Sequence, residues 1–165
     1  DVLFGDFNPS GKLPISFPKS GHQIPLVYNA RKYSSHDVYT KYDPLYPFGY
    51  GLSYTQFDYS NLRVNETVQA GETLMIQVDV QNVGDRDGME VVQLFLEDQY
   101  ASVTRPLKSL KGFKKISLGK NIKQTVMFEL SAKDLSFYDE NLQWVEESRV
   151  IEVQISNLKK SFKII

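Results

Sequence analysis

The stretch "TLMIQVDVQN", residues 73–82, puts Leu74, Ile76, Val78 and Val80 on one side of an extended chain and Met75, Gln77, Asp79 and Gln81 on the other. Successive side chains of a strand point to opposite faces of its sheet, so this period of two predicts a half-buried antiparallel strand. The Gly/Asp turn "GDRDG" follows at residues 84–88. "MEVVQLFLED" then resumes the alternation with Val92, Leu94 and Leu96 inward, and "KQTVMFEL" repeats it with Val126, Phe128 and Leu130. "RVIEVQI" offers Val150 or Ile151 with Val153 and Ile155, and "SFKII" pairs with it as a final edge. With "FDYSNLRV" at the front and a short strand near "LKSLKGF", about seven strands fill about 110 residues, the pattern of an immunoglobulin-like sandwich. Helix is nearly absent; "SAKDLSFYD" supplies one turn.

The bulk numbers agree with one domain plus an appendage: 165 residues, 41% hydrophobic and 24% charged. A formal net charge of −1 gives no reason to expect nucleic acid or an anionic membrane as partner. No run approaches the roughly 18 apolar residues of a membrane-spanning helix. The lack of cysteine removes disulfides, thiolate catalysis and cysteine-ligated metal without fixing the compartment.

Residues 1–55 follow another regime. Six of the seven prolines lie there (Pro9, Pro14, Pro18, Pro25, Pro44 and Pro47), and "LPISF" and "IPLVY" are expected to be extended pieces or edge strands. So long a stretch without regular structure needs a surface to lie against. At the front, Val2, Leu3 and Phe4 run into Gly5, which predicts the last turn of a helix stopped by glycine and implies a chain cut from a larger fold. "DPLYPFGYGLSYTQF", residues 43–57, is too rigid for a linker and too broken for an element. Gly49 and Gly51 are expected to allow close backbone approach, while Tyr46, Phe48, Tyr50 and Tyr54 bury ring area on both sides.

Chemistry-bearing patterns fail on spacing. Around Lys12, "GDFNPSGKLP" has Asp6 where a phosphate loop needs its first glycine and Leu13 where it needs a hydroxyl, which leaves a turn. "FGYGLS" lacks the third glycine of a dinucleotide site. His22 and His36 have no metal or triad spacing. The acidic residues pair up at expected turns, Asp85 with Asp87, Glu97 with Asp98, Asp139 with Glu140 and Glu146 with Glu147, and no spacing selects a glycosidase pair. "NET" at residues 65–67 fits the glycosylation pattern, whereas "NPS" at residues 8–10 is excluded by its proline. Tyr100 and Trp144 are the candidate exposed rings for stacking on a sugar.

Three pieces in this order, "DVLFGDFNPSGKLPISFP", "PLYPFGYGLSYTQFDYSNL" and "DVQNVGDRDGMEVVQLFLED…SVTRPLKSLKGFKKISL", resemble the C-terminal part of glycoside hydrolase family 3, the family of many β-glucosidases and β-xylosidases. The resemblance implies that residues 1–55 are the tail of that family's α/β-sandwich domain plus the connection out of it, and that residues 56–165 are a fibronectin type III-like domain. The family's aspartate nucleophile lies in an N-terminal barrel domain, and its acid/base, commonly a glutamate, lies upstream of "DVLFG". The resemblance therefore places no catalytic, cofactor-binding or metal-binding residue in this sequence, and it implies no cofactor. The expected partners are the N-terminal catalytic domains of the same parent chain, with a β-linked oligosaccharide as the parent's substrate only, and the compartment, periplasmic or secreted, stays open. The expected function is a non-catalytic region that steadies those domains; the alternative is an autonomous module binding carbohydrate or protein. Where the family carries a Pro-Gly turn and a late glycine, this chain reads "VEESRVIEVQI" and "SNLKKSFKII", so Ser148 and Asn157 are expected at those turns, Asn157 at positive φ.

Overall fold

A computed structural model describes residues 1–31 and 43–165. The seven expected strands are all present: β1 (Phe57–Val64), β3 (Leu74–Asn82), β4 (Gly88–Asp98), β5 (Ser109–Leu118), β6 (Lys123–Leu130), β9 (Val150–Ile155) and β10 (Leu158–Ile164). Three two-residue strands were not expected: β2 (Thr67–Val68), β7 (Phe137–Tyr138) and β8 (Trp144–Val145). The single helical turn, α1 (Ala132–Leu135), falls within "SAKDLSFYD". Its N-cap Ser131 and Asp134 form a capping box.

A three-stranded sheet in the order β1-β3-β6 faces a five-stranded sheet in the order β2-β10-β9-β4-β5. The inward rows of both sheets share one core, in which Leu74, Ile76, Val78 and Val80 meet Val92, Leu94, Val153 and Ile155. Ile151 is buried and Val150 lies outside, as the shared parity of residues 151, 153 and 155 demands.

Polar faces behave less simply. Asp79 belongs to the outward row of β3, yet its side chain keeps only 8% of its exposure. A bulge in β1 between Ser60 and Arg63 holds Asn61 at φ 52° and turns its amide onto Asp79 Oδ2 at 2.9 Å. Thr125 Oγ1 donates at 2.7 Å, Arg63 lies at 2.9 Å and Lys123 at 3.1 Å. The hydrogen bonds from Asn61 and Thr125, then Lys123, hold the carboxyl well below the usual carboxylate range. A depressed folded pKa stabilises fully above the unfolded value of about 3.9 and less as pH falls below it. Asp79→Asn should therefore flatten the loss of thermal stability between about pH 4 and pH 2. Parallel acid limbs for variant and wild type would remove Asp79 from this role.

Two local expectations need correction. Of the two forms expected for "LPISF" and "IPLVY", the edge strand does not form: Pro14, Pro18 and Pro25 remove donors, and "LPISF" reaches only an isolated bridge from Phe17 to Tyr46. In the β9–β10 hairpin the positive φ falls on Ser156 (54°) and not on Asn157, because the Ile155–Leu158 pairing makes Ser156 the first central residue. Ser148 lies at a bend between β8 and β9, as expected, and donates through Oγ to the Ile164 carbonyl at 2.8 Å.

Candidate functional site

The proline-rich arm builds a face of its own. Residues 13–17 lie antiparallel to residues 45–50: Leu13 N donates to Tyr50 O, Gly49 N to Leu13 O, Phe17 N to Tyr46 O and Leu45 N to Phe17 O, each at 2.8 Å. Two glycines make this approach possible. Gly49 holds φ +83°, and a Cβ there would stand 2.3 Å from Gln93 Oε1; a Cβ on Gly51 would stand 2.2 Å from the Gly11 carbonyl.

One side of the paired segment grips the sandwich. Phe48 stacks on Tyr28 at 4.0 Å, and both rings meet Phe95 of β4 edge-on at 6.1 and 6.2 Å. Asn8 accepts from Ser53 Oγ and Tyr54 N and donates to Asp87 O at 3.0 Å. Lys12 Nζ lies 3.2 Å from Glu90, whose carboxylate also accepts from Tyr59 Oη at 2.8 Å. Burial and that carboxylate push the Tyr59 phenol up. Leu107 N donates to Ala30 O at 2.8 Å, so the arm reaches the approach to β5.

The other side faces solvent. Leu3 is 90% exposed, Phe4 86% and Leu52 70%, and Phe17, Tyr46, Tyr50 and Tyr54 are also exposed. Val2, Pro9, Leu13, Phe17, Tyr46, Tyr50 and Leu52 line one open apolar groove of about 830 Å³. Beside it, Gly5 holds φ +84° while Asp6 N donates to Asp1 O and Gly5 N to Val2 O. That pair of bonds is the pattern that closes a helix at glycine, but residues 2–5 form a turn and not the helix expected from "DVLFG". Contiguous apolar surface of this kind marks an interaction site.

Other expected positions scatter. His22 sits exposed in a 3-10 turn, and His36 lies outside the described residues. Among the described residues no group of three or more His, Asp or Glu side chains is placed to hold a metal. Asp87, Asp139, Glu146 and Glu147 accept from backbone N–H groups, as turn residues do. Asp98 departs from that reading and clamps Arg105 and Arg149. Tyr100 is 84% exposed, and Trp144, also exposed, packs at 67° to Tyr138, so Trp144 and Tyr138 do not form a flat platform.

The fold is thus a two-sheet β-sandwich carrying an arm whose one side packs on the sandwich and whose other side is apolar and exposed. A family model described as "Glycosyl hydrolase family 3 C-terminal domain" matches residues 1–54, and one described as "Fibronectin type III-like domain" matches residues 90–158. The chain belongs to glycoside hydrolase family 3, and it corresponds to the C-terminal, non-catalytic region of a glycosidase of that family.

It is 43% identical to a periplasmic beta-glucosidase of Salmonella typhimurium over 89% of this chain and 21% of the relative. It is 40% identical to a beta-xylosidase of Formosa agariphila over 98% of this chain and 23% of the relative. The crystal structure of a beta-glucosidase from Listeria innocua in complex with glucose superposes with a TM-score of 0.92, at 35% identity, over 99% of this chain and 25% of that one. The chain thus spans less than a quarter of the curated relatives it matches here.

Proposed function

We propose that this chain is the structural closing segment of a β-glucosidase-type enzyme, with residues 1–55 completing the α/β domain of the parent and residues 56–165 clamping that arm in place. The observation that carries this reading is the solvent-facing apolar side of the arm, whose opposite side is already committed to the sandwich. Covering that row would bury apolar area worth roughly 25 cal/mol per Å². In this reading the catalytic carboxylates and the β-glycoside site belong to upstream domains of the same parent, and the segment holds those domains without touching substrate.

Two measurements test it. The isolated 165-residue chain should not hydrolyse aryl β-glucosides, and it should self-associate in light scattering through its open groove. Leu52→Asp with Tyr50→Asp should abolish that association, and in an intact parent enzyme the same pair should shorten the thermal half-life with KM unchanged. Turnover by the isolated chain that a point mutation within it removes would overturn the proposal. So would a monodisperse chain whose arm resists protease.

A further inference from the structure

A cleft of about 210 Å³ lies where the arm crosses the five-stranded sheet. Lys12 and Gly49 of the arm form one wall, and Gln93 and Phe95 of β4, Gln154 of β9 and Lys108 form others. Glu90 also lines the cleft, and its side chain keeps only 10% of its exposure. Tyr59 Oη donates to Glu90 Oε1, the same oxygen that Lys12 Nζ approaches at 3.2 Å. Among the described residues no hydrogen bond reaches Glu90 Oε2. A carboxylate oxygen on so buried a side chain is costly without a donor, and it persists where water or a ligand supplies one.

The other polar groups of the cleft lack acceptors as well as donors. Lys108 Nζ stands 4.9 Å from the centre of the Phe95 ring and makes no hydrogen bond among the described residues. Burial pushes its ammonium towards the neutral form, and Glu97 acts in the opposite sense. Gln154 uses only Nε2 within the protein, on Ser156 O at 3.0 Å. Gln93 turns Oε1 towards Gly49 and makes no hydrogen bond among the described residues. A hydroxyl group serves all of these, because it donates and accepts at once. An anion would stand against Glu90 and a cation against Lys12 and Lys108, so charge of either sign on a ligand is penalised. The volume equals about seven waters at roughly 30 Å³ each and falls below the roughly 300 Å³ of the smallest pockets for drug-sized ligands, which leaves room for one small ring.

We propose that this cleft binds one neutral monosaccharide in its ring form. One sugar hydroxyl donates to Glu90 Oε2, and its neighbours bond to Lys108 and to the amides of Gln93 and Gln154. Val91 and Phe95 take the C–H groups of the ring. Because Lys12 and Gly49 belong to the arm and the remaining groups to the sandwich, a bound sugar ties the two together. The site stands whether or not the arm also completes a parent domain.

The test is titration calorimetry of the 165-residue chain with D-glucose and with D-xylose, together with NMR of its side-chain amides. A dissociation constant on the order of millimolar is expected for a ligand of so few atoms. Sodium glucuronate and glucosamine hydrochloride should each bind at least about fivefold more weakly. The largest chemical-shift changes should fall on the amides of Gln93 and Gln154. Lys108→Met and Gln154→Leu should each raise the dissociation constant roughly fivefold and Glu90→Gln roughly tenfold. Gln124→Leu, at an exposed position of β6, should leave it unchanged. Glu90→Gln also deprives Lys12 of its partner, so the protease resistance of its arm is compared without sugar, and the Lys108 and Gln154 variants carry the test if that arm is loose. No binding of either sugar at about 50 mM would overturn the proposal and leave a cleft filled by water. So would glucuronate or glucosamine binding as tightly as glucose, shifts gathered elsewhere, or unchanged affinity in the Lys108 and Gln154 variants.

Discussion

Asn82→Leu is expected to lower the unfolding free energy by about 4 kcal/mol. Asn82 ends β3 and is 0% exposed. Its Nδ2 donates to Arg86 O at 2.8 Å and to Leu118 O at 3.0 Å, and its Oδ1 accepts from Thr55 Oγ1 at 2.6 Å and Gly84 N at 3.1 Å. One amide thereby ties the end of the arm, the β3–β4 turn and the end of β5. Leucine fits the volume but leaves the Leu118 carbonyl and the Thr55 hydroxyl buried without their partner, and each unmet group costs about 1–3 kcal/mol. Thr55→Val, which deletes one bond, should cost about 1 kcal/mol. Urea unfolding of the 165-residue chain measures both. A loss below about 1 kcal/mol for Asn82→Leu would mean that water replaces the amide.

Asp98→Ala should cost about 3–5 kcal/mol, because it strands a charge that cannot reach water. The Arg149 side chain is 3% exposed and lies 2.7 Å from Asp98 Oδ1; Arg105 lies 3.1 Å from Oδ2. Arg149 also donates to the carbonyls of Leu135 and Glu147. Both guanidinium groups sit over the Phe137 ring, at 4.9 and 4.6 Å. The cluster pins α1, the β7–β8 hairpin and the loop before β5 to the sandwich. Replacing the pair together, Asp98→Ala with Arg149→Met, should cost less than Asp98→Ala alone, since no buried charge is left uncompensated. If the double variant proves at least as unstable as the single one, stranded charge is not the source of the loss.

The sandwich was legible because its signal is local. The strands β3, β4, β6 and β9 carry their own alternation, whereas β5 does not, and each inward row named from the sequence lies in the core. The exposed face of the arm was legible only in outline. Four aromatics around two glycines were expected to bury ring area on both sides, yet only Phe48 packs on the sandwich while Tyr46, Tyr50 and Tyr54 are exposed, a split that depends on partners far away in sequence. The Lys12–Glu90 pair went unread although a signal existed. Glu90 shares the inward parity of Val92 and Leu94, and a carboxylate on a core-facing position requires a cation or a hydroxyl. Asp98 was assigned to turn chemistry because its two arginines stand 7 and 51 positions away. The two-residue strands β2, β7 and β8 carry too few residues for any period to register.

The arm rests on β4 and the approach to β5 through Phe95 and Leu107, segments that follow it in the chain. During synthesis it leaves the ribosome before the surface that receives it exists. At about 5–20 residues per second, the interval from Phe48 to the end of β5 lasts several seconds. Throughout that interval Phe48 has no seat, so a chaperone that shields it would raise the yield of folded protein.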